Sequence, residues 1–232
     1  MKDKPYALAV GSLIYAQVCT RPDIAFAVSV LGRFQSDAGL AHWTAAKKVM
    51  RYLLRTRDFK LVYRRDERLE VVGYSDSDFS GCTDDMKSTS GYVFLMGGGA
   101  ISWKSVKQTI IASFTIQAEF VALFEATTQA VWLRNFIAEL RVVDTISKPL
   151  QLWCDNNSAV IFSKNNKKSN SSKHIEIKYL LVREKVIEGE VDVAHIPIEK
   201  MVADPLTKAL SVGVFRGHVT RMGLVESFDM LV

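Results

Sequence analysis

The stretch "VVGYSDSDFSG", residues 71–81, has the pattern of a β-strand that ends on two acids, Asp76 and Asp78. Apolar residues lead into the acids, and Ser80 and Gly81 favour a turn after them. Acids at such a point are typical of a solvated loop, but a metal site at a strand end also needs them. The surrounding sequence has to separate these two interpretations.

The sequence on either side predicts a mixed α/β architecture. Residues 5–57 show helical periodicity and predict three helices that form a packing module, in which Pro22 and Asp23 suit a helix N-terminus. The period then changes. The later predicted elements are strands at 59–65, 69–76 and 190–197, a hairpin at 90–105, a strand–turn–helix unit at 150–164, helices at 117–140 and 173–189, and a last helix or helical turn that starts within 199–210. Because a hairpin-rich half precedes strand–helix units, we expect a mixed sheet covered by helices.

The composition is that of an ordinary globular chain of 232 residues, with 48% hydrophobic and 24% charged residues. The net charge of +5 fits a polyanionic partner without requiring one. No apolar run reaches the ~18–20 residues that a membrane span needs, so we expect no membrane contact. Cys19, Cys82 and Cys154 are scattered, which argues against disulfides and zinc and favours a reducing compartment.

Four acids stand at the positions where sites form in such folds. Asp76 and Asp155 end predicted strands, Glu119 lies near the start of a long helix, and Asp204 falls in the first turn of the predicted last helix. Strand ends and helix starts meet at one edge of the sheet. Four carboxylates there repel one another unless cations neutralise them, and oxygen ligands suit Mg²⁺ or Mn²⁺. Taken singly, each acid is more often a turn, cap or surface residue.

Longer motifs carry a resemblance to a known family. These motifs are "YALAVGSLIYAQVCTRPDIAFAVSVLGRF", "HWTAAKKVMRYLL", "GYSDSDFSG", "KSTSGYVFLMGGGAISWKSVKQ", "AEFVALFEAT", "LWCDNNSAV", "KHIEIKY" and "ADPLTK". In order and spacing, residues 5–225 resemble the C-terminal Pol region of copia-type LTR retrotransposons, the reverse transcriptase connection followed by the ribonuclease H domain. The resemblance implies an RNase H-like fold: a five-stranded mixed sheet flanked by helices and preceded by a small helical segment.

The same resemblance implies a division of the chain and a function. Residues 1–65 would be a connection or thumb-like remnant of reverse transcriptase, 66–212 the RNase H-like domain, and 213–232 a C-terminal tail. The implied activity is endonucleolytic cleavage of the RNA strand of RNA–DNA hybrids, with two Mg²⁺ or Mn²⁺ ions as cofactors. A reverse transcriptase polymerase domain is the implied protein partner, and the implied location is intracellular, in cytoplasmic virus-like particles or the nucleus.

Site residues follow from the matched motifs. Asp76, Glu119, Asp155 and Asp204 fall on the family's catalytic, metal-binding acids, and strand alternation sends Asp78 to the side of Asp76, where it would support the site. The residues expected to support the site or contact substrate are Asp78, Ser88, Lys104, Asn156, Lys173 and His174. The lysines among them would hold phosphates.

The chain also departs from the family pattern. Gln117 stands where an acid is usual, two residues before Glu119, and Leu180 stands where a His is common. A helical offset of about 200° places Gln117 off the face of Glu119. These departures leave an alternative open, a catalytically weak or dead remnant that binds nucleic acid or packs against a polymerase.

Overall fold

The computed structural model describes residues 4–65, 69–82, 85–141, 148–165 and 173–226, and it gives only the backbone of residues 173–175. Its strands are β1 (Lys60–Leu61), β2 (Val72–Asp78), β3 (Thr89–Met96), β4 (Gly99–Lys107), β5 (Leu150–Cys154), β6 (Val191–His195) and β7 (Leu224–Val225). Its helices are α1 (Tyr6–Cys19), α2 (Ala25–Gly32), α3 (Leu40–Arg55), α4 (Thr115–Leu140), α5 (Asn157–Lys164), α6 (Lys173–Ile187) and α7 (Val212–Arg221).

The central sheet has five strands in the order β4-β3-β2-β5-β6. Strands β2, β3 and β4 form an antiparallel meander, while β5 and β6 run parallel to β2. The hairpin between β3 and β4 turns at Gly97 and Gly98, whose φ angles of 58° and 75° lie in the region that glycine adopts without strain. The predicted five-stranded mixed sheet flanked by helices and preceded by a helical segment is confirmed.

Each face of the sheet has its own apolar core. Helices α4, α5 and α6 cover one face, where Phe94, Phe120 and Leu152 are fully buried. On the other face, Met201 and Leu206 pack with strand side chains such as Val93 and Ala100. Because both faces are covered, strand residues are apolar on both sides, and the polar residues of β2 are confined to its C-terminal end.

The helical segment α1–α3 forms a third core of its own and is attached to the sheet. Helix α2 packs on β4, and Trp103 of β4 donates its Nε1–H to the carbonyl oxygen of Gln17 at 3.1 Å. Strand β1 pairs with β7, so residues 60–61 are joined to residues 224–225. None of the helices in the described part of the chain has the length and apolar character of a membrane span.

The C-terminal region differs from its sequence prediction. The last helix is α7, and residues 199–210 instead contain two short 3₁₀ turns, Ile198–Lys200 and Asp204–Leu206. The Asp204 carbonyl oxygen accepts from the Thr207 hydroxyl at 3.0 Å and from the backbone N–H groups of Thr207 and Lys208 at 3.1 and 3.2 Å, so the bonds of this turn converge on one acceptor. Of the two predicted alternatives, the helical turn is the one that forms at Asp204, and the last helix begins only at Val212. The division into domains stays a prediction, although residues assigned to a tail form α7 and β7.

Candidate active site

Asp76 occupies the C-terminal half of β2, and its side chain is almost completely buried. Its neighbour across the antiparallel ladder is Gly91 of β3. A Cβ on Gly91 would lie 2.7 Å from Thr207 Cγ2 and 2.9 Å from Leu206 Cβ. The glycine therefore lets the turn at 204–207 lie directly on the strand, and the Thr207 hydroxyl donates a hydrogen bond to Asp76 Oδ2.

Asp155 reaches the same edge from the neighbouring parallel strand. It follows β5 directly, and β5 pairs in register with β2 at Cys154 and Ser75. The next residue, Asn156, is the N-cap of α5, and its Oδ1 accepts from the Ala159 backbone N–H at 3.0 Å. The cap fixes the backbone at the point where Asp155 leaves the strand.

Asp204 and Lys208 come from the turn that covers β2. Lys208 Nζ lies 3.0 Å from Asp204 Oδ1 and 3.5 Å from Asp76 Oδ2. Its side chain is about one third exposed, whereas both carboxylates are buried. Lys208 is thus the cation that the protein itself supplies between these two acids.

Glu119 enters from the opposite face of the sheet, on the first turns of α4. Its side chain is buried beside Ser77 of β2. Gln108 anchors the start of this helix, since its Nε2 donates to the Ala118 carbonyl oxygen at 2.9 Å. The helix start is therefore held to the end of the β3–β4 hairpin.

The structure brings the four predicted acids into two overlapping groups. One ligand atom each of Asp76, Asp155 and Asp204 lie within 4.8 Å of one another. A second group, by the same measure, consists of Glu119, Cys154 and Asp155. Asp155 belongs to both groups and links the acids of the two sheet faces.

Burial and mutual repulsion govern the electrostatics of these acids. Burial, then Asp76 and Asp155, raise the pKa of Glu119 well above its ordinary value. Burial and Asp76 raise the pKa of Asp155, and they raise the pKa of Asp204 to about 7. Burial alone would lower the pKa of Lys208, but Asp76 and Asp204 raise it. Full ionisation of these carboxylates is therefore unfavourable unless a further cation binds.

Several buried oxygens of the cluster have no hydrogen-bond partner among the described residues. They are Asp76 Oδ1, Glu119 Oε2 and Asp204 Oδ1. Of these three, Asp204 Oδ1 has a charged neighbour, because the Lys208 ammonium lies 3.0 Å from it. Unpartnered buried carboxylate oxygens are costly, and hard cations are the ligands that satisfy them.

Other predicted site residues take different positions. Asp78 is part of neither acidic group, and burial raises its pKa. Ser88 accepts a hydrogen bond from the Ser80 backbone N–H at 3.1 Å, and Lys104 lies 3.5 Å from Glu125. The side chains of Lys173 and His174 lie outside the described residues. Roles for all five in the site stay predictions.

Gln117, the departure from the family pattern, has a structural partner. Its Oε1 accepts from the Ser113 backbone N–H at 2.8 Å, ahead of α4. Its predicted position off the face of Glu119 stays a prediction.

Sequence reasoning missed four residues at this site: Cys154, Thr207, Lys208 and His218. The one usable signal was the spacing of Asp204 and Lys208 in "ADPLTK". His218 lies on α7, is buried, and lines a cavity of about 480 Å³ together with Asp204 and Lys208. Burial, then Arg221 and Lys208, lower its pKa. His218 reaches Asp204 and Lys208 only because α7 folds back toward them, and no local sequence pattern predicts that fold.

Comparisons with known proteins agree with the motifs. The chain is 40% identical over 210 residues to a retrovirus-related Pol polyprotein from transposon TNT 1-94 of Nicotiana tabacum, covering 90% of this chain and 16% of that protein. It is 47% identical over 133 residues to the secreted RxLR effector protein 161 of Plasmopara viticola, covering 57% of this chain and 94% of that protein. No family model matches the chain.

A solved structure, that of LC11-RNase H1 isolated from compost, matches with a TM-score of 0.45 and 20% identity, over 60% of this chain and 92% of that chain. On the sequence matches, the chain belongs to the retrovirus-related Pol polyproteins of transposons and corresponds to their C-terminal region. It spans only about one sixth of the length of the tobacco polyprotein.

Proposed function

We propose that this chain is a ribonuclease H that hydrolyses the RNA strand of RNA–DNA hybrids during retrotransposon reverse transcription, beside the polymerase part of the polyprotein. One observation carries the proposal. Carboxylates from two parallel strands and a covering turn, Asp76, Asp155 and Asp204, converge within 4.8 Å, and Asp155 links them to Glu119. Three acids from separate elements do not meet at a sheet edge for the sake of stability, because they repel.

The residues fit a pair of Mg²⁺ or Mn²⁺ ions. The donors are hard oxygens, and Asp76 Oδ1 and Glu119 Oε2 are buried without a hydrogen-bond partner among the described residues. Burial and the neighbouring acids raise the pKa of Glu119 and of Asp204, so bound cations would stabilise the ionised carboxylates. Asp76, Asp155 and Asp204 would hold one ion, and Asp155 with Glu119 would hold the other. When bound, such ions supply an activated water and stabilise the leaving oxygen of a phosphodiester.

The protein's own groups hold these carboxylates in place. Thr207 donates to Asp76 Oδ2, while Oδ1 keeps no hydrogen-bond partner among the described residues. The Asn156 cap fixes the backbone after Asp155, and His195 Nε2 lies 3.1 Å from the Asp155 carbonyl oxygen. Lys208, one third exposed, lies where it can face both the acids and a substrate phosphate. These groups restrict the acids before substrate arrives.

The direct test is cleavage of an RNA–DNA hybrid labelled on each strand, in Mg²⁺ and in Mn²⁺. We expect metal-dependent cutting of the RNA strand alone, with single-stranded RNA and duplex DNA left intact. Asp155→Asn is the matched control, because this isosteric change removes one charge from both acidic groups. Hybrid binding without cutting in either metal would overturn the proposal and favour the catalytically dead alternative.

A further inference from the structure

A cleft separates the helical segment from the strand that carries Asp76. It has a volume of about 640 Å³ and is called here the α2–α3 cleft. One wall comes from α2, α3 and the residues that follow α2, and the other comes from the ends of β2 and β4 and the start of β3. Its lining residues are Phe26, Ala27, Val30, Leu31, Arg33, Phe34, Ala45, Lys48, Val49, Asp78, Gly81, Cys82, Thr89 and Lys107.

Arg33 is the feature of the cleft that most needs a ligand. Its Nε and Nη2 atoms are buried and have no hydrogen-bond partner among the described residues. A guanidinium presents its donors as a planar fork that matches two oxygens of a phosphate. Two buried donors without an acceptor are unfavourable, so an anion that accepts from both would stabilise Arg33.

The charge and shape of the cleft indicate which anion. Lys48 is exposed, and no described acid pairs with it, while Lys107 pairs with Asp85 at 2.7 Å. Against three cations the lining holds one acid, Asp78. The half-buried rings of Phe26 and Phe34 form part of the apolar wall. Cations beside aromatic rings are the combination that holds a nucleic-acid strand by its phosphates and bases.

The cleft lies near the candidate active site. Asp78 lines it and lies two residues beyond Asp76 on the same strand, which separates their Cα atoms by roughly 7 Å. A nucleic-acid strand that extends from the acidic cluster along β2 would reach the cleft.

We propose that the α2–α3 cleft binds one strand of the nucleic-acid substrate, with the Arg33 guanidinium on a phosphate and Lys48 on a neighbouring one. This inference rests on the proposed function, since it extends the track of the same substrate. It assigns substrate binding to the helical segment α1–α3, which contributes no residue to the acidic cluster.

The native thiols provide a test without any substitution. Cys82 lines the cleft, whereas Cys19 is exposed at the end of α1, outside it, and Cys154 is buried. The chain is alkylated with iodoacetamide in EDTA, with and without a blunt RNA–DNA hybrid, and each cysteine is quantified by mass spectrometry. With about nine-tenths of the protein bound, we expect Cys82 alkylation to slow about tenfold and Cys19 alkylation to stay unchanged. Equal rates at Cys82 with and without bound hybrid would overturn the proposal.

Charge variants give an independent readout. Arg33→Gln combined with Lys48→Gln is compared with Lys47→Gln combined with Arg55→Gln, which removes the same charge from positions outside the cleft. Hybrid affinity is measured in EDTA over a range of salt. Losing two phosphate contacts lowers the steepness of log affinity against log salt concentration by about 1.8. Between 0.1 M and 1 M salt, the affinity of the wild-type chain should therefore fall by roughly 60-fold more than that of the variant. We expect this of the cleft pair only.

The outcomes separate this proposal from the nuclease proposal. Equal salt slopes for the cleft pair and the control pair of variants would overturn the cleft proposal. A wild-type chain that binds no hybrid would also overturn it. Lys48→Gln alone, at an exposed position, covers the case in which the Arg33 change prevents folding, and we expect it to lower the slope by about 0.9. Because binding is measured without metal, absence of cleavage overturns the nuclease and leaves this result standing.

Discussion

Asp23 in the helical segment and Asp76 in the sheet are both buried aspartates, and the protein surrounds them in opposite ways. Around Asp23, Arg21 donates from Nε at 2.9 Å and from Nη2 at 2.7 Å to the two carboxylate oxygens. The Tyr52 hydroxyl donates to Oδ2 at 2.6 Å. The charge is paired and its oxygens are saturated, as expected of a structural ion pair.

Asp76 has the contrary environment. Its nearest charged neighbours are mostly other acids, Oδ1 has no described hydrogen-bond partner, and the one nearby cation, Lys208, is shared with Asp204. The comparison shows that burial of an acid does not by itself indicate function. An acid that is buried beside other acids and lacks hydrogen-bond partners does indicate function, because a fold retains such a group at a cost in stability.

The largest effect should come from neutralising the unsatisfied acid. Asp76→Asn keeps the shape of the side chain and an acceptor for Thr207, so the chain should fold with unchanged or higher stability. Loss of several kcal/mol of transition-state stabilisation corresponds to a fall in hybrid cleavage of about 10³-fold. Single-turnover cleavage and urea denaturation measure the two quantities. Unimpaired cleavage would remove Asp76 from the site.

The satisfied acid should behave in the reverse manner. Arg21→Met leaves Asp23 buried without its partner, which costs about 3–5 kcal/mol of unfolding free energy. Arg57→Met, at a surface pair with exposed side chains, is the control and should cost about 0–1 kcal/mol. Urea denaturation tests both. Equal small losses would mean that the Asp23 network is no more structural than a surface pair.

Lys208 sharpens the comparison, because it is the only described cation within ion-pair distance of Asp76 and Asp204. Lys208→Met should lower metal-free stability by about 1–2 kcal/mol, and Mg²⁺ should restore more stability to this variant than to wild type. Thermal unfolding with and without Mg²⁺ measures this. Lys104→Met, which removes the exposed pair with Glu125, should show no such metal-dependent difference.

A pH dependence of stability is the remaining prediction. Burial and Asp76 raise the pKa of Asp204 from 3.8 to about 7, so the folded chain keeps a proton that the unfolded chain releases. In EDTA this stabilisation is complete below about pH 4 and is lost as the pH rises toward 7. Asp204→Asn should flatten that part of the stability curve. A variant curve parallel to that of wild type would contradict the shift.

The two aspartates also mark how far sequence reasoning reaches. Asp76, Asp155, Glu119 and the sheet were predictable, because strand ends, helix starts and matched motifs are local signals. The role of Asp23 was not, since the sequence suggested a helix N-terminus, whereas its partner Tyr52 lies 29 residues away. The arrival of α7 and His218, and the turn that ends at Thr207, likewise depend on tertiary packing and side-chain hydrogen bonds that periodicity does not encode.

The central claim, that the unsatisfied acids are held for cations, is tested most directly by calorimetric titration of the metal-free chain with Mn²⁺. We predict saturable binding of two ions per chain, with Asp155→Asn losing both because Asp155 belongs to both acidic groups. A wild-type chain that binds no Mn²⁺, or an Asp155→Asn variant that binds it equally well, would contradict the account.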